Sequence, residues 1–522
     1  MIDKSLLISK GYFPKELPPL FATDKLGSLV SAKRVSLDHF CKKFSKCIIH
    51  NIPKIRQFSR SLSIPNPLHQ MKFVDALSRN WSEIQDFFSV SELSLSIPVQ
   101  DDNGKRAVKN EYSYDEMIRE KVLRSCSSKY MVYTDISRFY RTIYTHSIPW
   151  ALHGKSTSKS NRSLRLLGNV LDLSIRNTQD QQTLGIPVGP DTSRIISELI
   201  AVAIDCKLQE RFSDLNGIRY VDDFFFFVNR LSDAEKILDG LNRVLKEFEL
   251  EVNELKTDIQ KLPQPFEPLW KQELRSFRIR SEQKDQATDL LHLFSRAFVY
   301  YEEYTRHNVL LSTIIQLLPI KIYESNWSLF ESLILQSLIA EPRIFPIVAR
   351  LFVSYKSYDY PLSYDRIKET LLSIINYHVN YGHGFVLCWA FWLLREMGIT
   401  VDISEERLSS VKDPFAVLSL LYLRENGFLT SRIPKTTWQS YMKADELYLD
   451  HWLLSFEALE RKWLNNRQGS DYIGKDDFFL FLRENDISFL NMEYRTNPIK
   501  QKKLSFEQDL DKSIDLLSLL YD

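Results

Sequence analysis

The stretch Ile218-Arg219-Tyr220-Val221-Asp222-Asp223-Phe224-Phe225-Phe226-Phe227-Val228 restricts what this chain can fold into more than any other. β-Branched and aromatic residues flank a short acidic break, which predicts a β-hairpin with the aspartates at its turn. Most Asp-Asp pairs are solvated turn residues. Here the pair is wedged between apolar runs, and adjacent carboxylates repel each other unless cations sit beside them. A pair of Mg2+ ions in a nucleotidyl-transfer site is the usual reason for such an arrangement. A third carboxylate has matching company upstream: Asp135 ends the apolar run Met131-Val132-Tyr133 and precedes an aromatic, helical stretch. At a strand end it can face the hairpin and complete a metal site. Asp135 and Asp222 then become the direct ligands, with Asp223 in support.

With 522 residues and 44% hydrophobic content, the chain suits two or three domains with ample core. The formal net charge is only +1, so a protein that holds polyanions must distribute its charge unevenly. It does so locally. Between Ile136 and Leu171 there is no Asp or Glu, but there are Arg138, Arg141, Lys155, Lys159, Arg162 and Arg165, which points to a nucleic-acid or triphosphate contact. Five scattered cysteines without a Cys-x-x-Cys pair argue against a disulfide framework or a zinc site. The histidines lack metal-ligand spacing; His378 and His383, five apart, read as surface or core residues. The polar N-terminus does not read as a signal peptide, and the apolar run Phe385 to Leu394 is too short for a bilayer. The expected location is cytoplasmic, with no membrane association.

Along the chain, Ser63 to Trp81 moves from a loop into an amphipathic helix carrying Met71, Phe73, Val74 and Leu77. Asp102-Asn103-Gly104 predicts a tight hairpin turn that would present Lys105 and Arg106. Gly185-Ile186-Pro187-Val188-Gly189-Pro190 is a turn before a helix capped by Asp191, Thr192 or Ser193. Gly185 and Gly189 would let a nucleotide lie close to the main chain. From about Gln286 long helical segments are broken by prolines and glycines, with Asp413-Pro414 as an N-cap and first-turn pair. This predicts a HEAT-like helical repeat, with an irregular bundle as the alternative.

Asp135 with Phe139-Tyr140, then Gly185 to Pro190, then Tyr220-Val221-Asp222-Asp223, then Asn253 to Thr257, resembles motifs A, B, C and D of reverse transcriptases, in that order. Ser63 to Gln70 and Ser96 to Val108 resemble the finger motifs. The resemblance covers about the first half of the chain. It implies an α+β fold of reverse-transcriptase-like fingers and palm, followed by an all-α HEAT-like repeat domain. The expected domains are residues 1–128 (N-terminal segment and fingers), 129–285 (palm) and 286–522 (helical repeats). It also implies that Tyr140 selects deoxynucleotides, Arg106 neutralises triphosphate charge and Lys256 assists pyrophosphate departure, while Gly185, Pro187 and Gly189 line the dNTP floor.

Phe139 to Arg162, with Ser193 to Leu199 and the Tyr-Val-Asp-Asp turn, is similar to the abortive-infection reverse transcriptases of the AbiK and P2-prophage type. That resemblance implies anti-phage defence and untemplated DNA synthesis primed by the protein itself. It further implies single-stranded DNA left covalently attached, a trimeric or hexameric homo-oligomer and a phage protein as trigger. Tyr12 is one candidate for the priming hydroxyl; hydrophobic docking of its extended segment is the other reading. Templated reverse transcriptases usually carry Gln before the first motif B glycine, where this chain has Leu184. A conventional RNA-templated reverse transcriptase and a catalytically silent phage-sensing scaffold are the alternatives.

Overall fold

Four antiparallel strands form the central sheet of this computed structural model, in the order β6-β7-β5-β8. The structure describes residues 2–32, 35–54, 58–104, 106–305, 307–466 and 469–500. Two short two-stranded ribbons precede the sheet: β1 (Ile48–Pro53) with β2 (Ser59–Ile64), and β3 (Pro98–Gln100) with β4 (Val108–Asn110). The sheet strands are β5 (Tyr130–Asp135), β6 (Gly217–Tyr220), β7 (Asp223–Val228) and β8 (Asp258–Lys261).

The unbroken Phe224-to-Phe227 run is explained by burial on both faces. Successive strand residues alternate sides, so Phe224 and Phe226 join the main core while Phe225 and Phe227 join a second cluster with Leu95, Met117, Met131 and Ile218. The helices Asp191–Arg211 and Leu231–Glu247 lie on the first side. The helix Tyr114–Ser125 closes the second, its Ser113 and Glu116 forming a reciprocal capping box.

The main core runs without interruption from Ile2 to Ile499, across both expected domain boundaries. Phe13 packs edge-on against Phe415 and stacks on Phe489, Phe21 meets Phe415 at 4.9 Å, and the Trp389 indole donates to the Glu16 carbonyl. Downstream of Gln283–Glu303, most of the longer helices pack on the next or next-but-one helix, and Asp477–Glu484 packs on Trp452–Glu460 through Phe456–Phe479 and the Arg483–Glu460 ion pair. Asp413 caps Pro414–Glu425 by accepting from the Ala416 amide at 3.0 Å, as its sequence predicts. Gly384–Met397 is buried almost throughout, matching the apolar run. No helix among the described residues is long and apolar enough to cross a membrane, and the five cysteines are unpaired.

Three local expectations need correction. The β3–β4 connection is no two-residue turn: it spans Asp101 to Ala107, with the Asp101 carboxylate accepting from the Gly104 amide. Lys105 lies outside the described residues. Asp191 does not cap its helix; Pro190 holds the cap position without a side-chain bond, and the Asp191 carboxylate is committed elsewhere. The segment around Tyr12 is not extended but a series of turns after the helix Lys4–Ser9.

Candidate active site

The β6–β7 hairpin turns through Val221 and Asp222, with Tyr220 paired to Asp223 and Val221 in the left-handed region at φ +62°. A β-branched residue adopts that conformation only when its surroundings enforce it. Here the enforcement is explicit. The Val221 amide donates to Ser96 Oγ at 2.8 Å, and its carbonyl accepts from Arg219 Nη1 at 3.0 Å. Arg219 is fully buried inside a strand and forks onto Asp205 (2.7 Å) and Glu198 (2.8 Å), while Ser94 and Ser96 donate to the same Glu198. Burial opposes the Glu198 charge, but Arg219 and the hydroxyls win and hold its pKa down. At Asp205 burial outweighs the ion pair and pushes the pKa up. This anchor went unread in the sequence. Its signal is an arginine between apolar strand residues, matched by acids two helical turns apart on the Asp191–Arg211 helix.

The predicted carboxylates share one end of the sheet. Asp135 ends β5 directly opposite Asp223 on β7, and the Ile136 amide donates to the Asp222 carbonyl at 3.2 Å. Tyr133 Oη donates to Asp223 Oδ1 at 2.9 Å. Asp135 is 4% exposed and its Oδ2 is ion-paired with Lys256, which follows from the turn Glu254–Lys256. Burial first, then the charge of Asp223, raises the Asp222 carboxyl to about 6; burial also raises Asp223. Burial works against the Lys256 ammonium, yet its bond to Asp135 and the nearby aspartates raise its pKa.

A divalent cation fits this donor set on two observations. Asp135 Oδ1 is buried without a hydrogen-bond partner, and burial together with the neighbouring carboxylates drives Asp222 and Asp223 toward neutrality, which a bound cation would reverse. Among the described residues, groups of three ligating atoms within 4.8 Å of one another occur at His50/Cys388/Asp413 and at Glu446/Asp450/His451; the three aspartates are not drawn that close together. At the aspartates, Lys256 supplies the local positive charge. Sequence spacing could not show the first of those clusters, nor the buried His378–His383 contact at 2.7 Å.

Tyr140 stands beside this centre, its phenol accepting from Ser197 Oγ at 3.0 Å and its carbonyl accepting from the Ile186 amide at 2.8 Å. Burial pushes the phenol pKa up. Gly185 takes φ +82° and donates to the Ile143 carbonyl; a Cβ there would come within 3.1 Å of the Arg141 carbonyl. Gly189, at φ +133°, leaves only 3.3 Å between such a Cβ and Pro14, and Pro187 is buried. The loop is thus clasped by the N-terminal segment, while Leu184 is 69% exposed.

Two predicted site residues are occupied elsewhere. Arg106 does not project to meet a triphosphate: it bonds to Asp191 Oδ1 at 2.5 Å and to the carbonyls of Phe13 and Gly189, because the displaced Asp191 needs a cation. Tyr12 offers no accessible priming hydroxyl. It is fully buried and donates to the Pro65 carbonyl at 2.5 Å, since its aromatic ring docks in the core.

Residues 31–275 match the family model described as reverse transcriptase (RNA-dependent DNA polymerase). That stretch, a little under half of the chain, is thus a domain of the reverse transcriptase kind. No curated protein matches the chain. Among solved structures it is similar to apo telomerase from Candida tropicalis truncated from its C-terminal domain (15% identity, 43% of this chain and 51% of that one, TM-score 0.30). It is also similar to Candida albicans telomerase in complex with a fragment of telomeric RNA (12% identity, 68% and 63%, TM-score 0.31). The full apo telomerase of Candida tropicalis is a third (12% identity, 72% and 68%, TM-score 0.32). The chain spans about half the length of the first of these.

Proposed function

We propose that this protein is a DNA polymerase of anti-phage abortive infection that adds dNTPs without a template, starting from a hydroxyl of the protein itself. The observation that carries the polymerase part is the placement of Asp135, Asp222 and Asp223 at one end of the sheet, with Asp135 paired to Asp223 and its Oδ1 orphaned. Asp135 and Asp222 would hold two Mg2+ ions, with Asp223 in support. When bound, the ions supply activation of a 3′-hydroxyl and charge neutralisation for departing pyrophosphate. The chain's own residues do the positioning. Tyr133 orients Asp223, Arg219 and Ser96 fix the turn, and Lys256 keeps positive charge beside Asp135. Tyr140, beside the Gly185 loop, selects the sugar.

Two features support untemplated synthesis. Leu184 stands where templated enzymes carry Gln, and Pro14 and Arg106 clasp the loop that would otherwise floor a template base pair. The helices after residue 286, many of which pack on the next or next-but-one helix, support the HEAT-like reading. The same reading carries a trimeric or hexameric homo-oligomer, a cytoplasmic location and a phage protein as trigger.

The test is incubation of purified protein with dNTPs and Mg2+, without primer or template, followed by a denaturing gel before and after protease. A dNTP-dependent upshift that protease removes and Asp222→Asn abolishes is the expected result. Extension only of an added primer–template would establish the templated reading, which the match to RNA-dependent DNA polymerases favours. Absence of incorporation under both conditions, with phage protection retained by Asp222→Asn, would establish a scaffold.

A further inference from the structure

The acid-free stretch after Asp135 folds into a pocket. The helices Ser147–His153, Lys155–Ser160 and Leu167–Thr178 enclose a cavity of about 500 Å³, lined among others by Tyr144, Trp150, Lys159 and Arg162. Its volume suits a single nucleotide. Tyr144 and Trp150 are half-buried and meet edge-on, ring centres 5.6 Å apart. Lys155 Nζ sits 4.1 Å over the Trp150 ring. The one acid in the wall, Asp172, is already ion-paired with Arg176 at 3.2 Å and hydrogen-bonded to His146 Nδ1 at 2.9 Å. Lys159 and Arg162 are exposed and form no ion pair among the described residues. Aromatic faces beside cations, with no available carboxylate, are the composition of a platform for unpaired bases and their phosphates.

The location connects this platform to the polymerase centre. Tyr144 bridges Leu184, the Thr145 amide donates to the Thr183 carbonyl at 2.8 Å, and Gly185 donates to Ile143. The pocket wall is therefore joined at Tyr144 to the loop that packs on Tyr140.

We infer that the Tyr144–Trp150 pocket seats one nucleotide of single-stranded DNA, its base against the two rings and its phosphates on Lys159 and Arg162. The strand's identity rests on the polymerase reading; the binding itself is measured without catalysis. Full-length Asp222→Asn protein in EDTA is titrated against a fluorescent oligo-dT of about twelve nucleotides, by anisotropy over a range of salt. Adding Lys159→Ala with Arg162→Ala should weaken binding about tenfold or more and flatten the log-affinity against log-salt slope by about 1.4, two single-strand phosphate contacts. Adding Trp150→Leu should weaken binding about tenfold with the slope unchanged. Thermal melting of each variant verifies folding, and Lys236→Ala with Arg243→Ala serves as a charge control that should change neither quantity.

Unchanged affinity and slope in both pocket variants overturns the inference, as does tighter pocket-dependent binding of oligo-U than of oligo-dT. If wild-type protein incorporates dNTPs while the pocket variants bind normally, the pocket fails and the polymerase reading stands. If the variants lose binding but wild-type protein never incorporates, the pocket stands and that reading fails.

Discussion

Asp222 is where function and stability oppose each other. Its carboxyl titrates near 6 in the metal-free fold, against 3.8 for the free side chain, so the native state takes up a proton before the unfolded state does. Stability of the metal-free protein therefore falls as pH rises from about 4 through 6. Asp222→Asn imitates the protonated form. It should stabilise the protein in EDTA at pH 7.5 by about 1–2 kcal/mol, after discounting for partial exposure. The gain should vanish below about pH 4, while incorporation drops at least about a hundredfold. Urea midpoints across pH check this; equal midpoints at pH 7.5 would sink it. Tyr12→Phe removes one buried hydrogen bond and should cost about 1 kcal/mol while leaving any protein–DNA adduct intact. Loss of the adduct at unchanged stability would restore Tyr12 as the primer. That Asp135, Asp222 and Asp223 share one sheet end was legible from the chain because these acids interrupt apolar strand runs. The buried hydroxyl of Tyr12 was not, since burial depends on what packs over it.

At the scale of elements, the hairpin is held from beneath by a buried ionic cluster. Arg219→Met strands Glu198 and Asp205 without a partner and should cost about 3–5 kcal/mol. Combining it with Glu198→Gln and Asp205→Asn should recover most of that stability, because no buried charge is left unpaired. Incorporation should stay low in the triple variant, since the Val221 carbonyl has lost its donor and the strained turn its restraint. Full recovery of activity would reduce the cluster to a packing device. The alternating faces of β7 were hidden in the sequence, because four consecutive phenylalanines carry no period when both sides are covered. Asp191 was misread for a related reason: a capping residue and an ion-pair partner look alike until the arginine across the loop is in place.

At the scale of the whole molecule, the described residues up to Asn66 belong as much to the C-terminal helices as to the sheet. His50 bonds to Asp413 at 2.8 Å, the Asn66 side chain donates to Leu447, and Phe13 and Phe21 both rest on Phe415. A fragment ending at residue 285 exposes these surfaces and should aggregate or bind a hydrophobic dye on gel filtration; a soluble, cooperatively melting fragment would show separable domains. Phe415→Ala, in the middle of this junction, should cost about 3–5 kcal/mol. The sequence by itself determined the local elements and the order of the acidic, glycine-loop and lysine motifs, because periodicity, turn chemistry and charge within an apolar run are properties of neighbours in the chain. Tertiary structure alone decided which groups remain available to a substrate. Arg106, Tyr12 and the Gly189 loop are bound up by residues distant in sequence, and only the fold determines which distant partners a side chain meets.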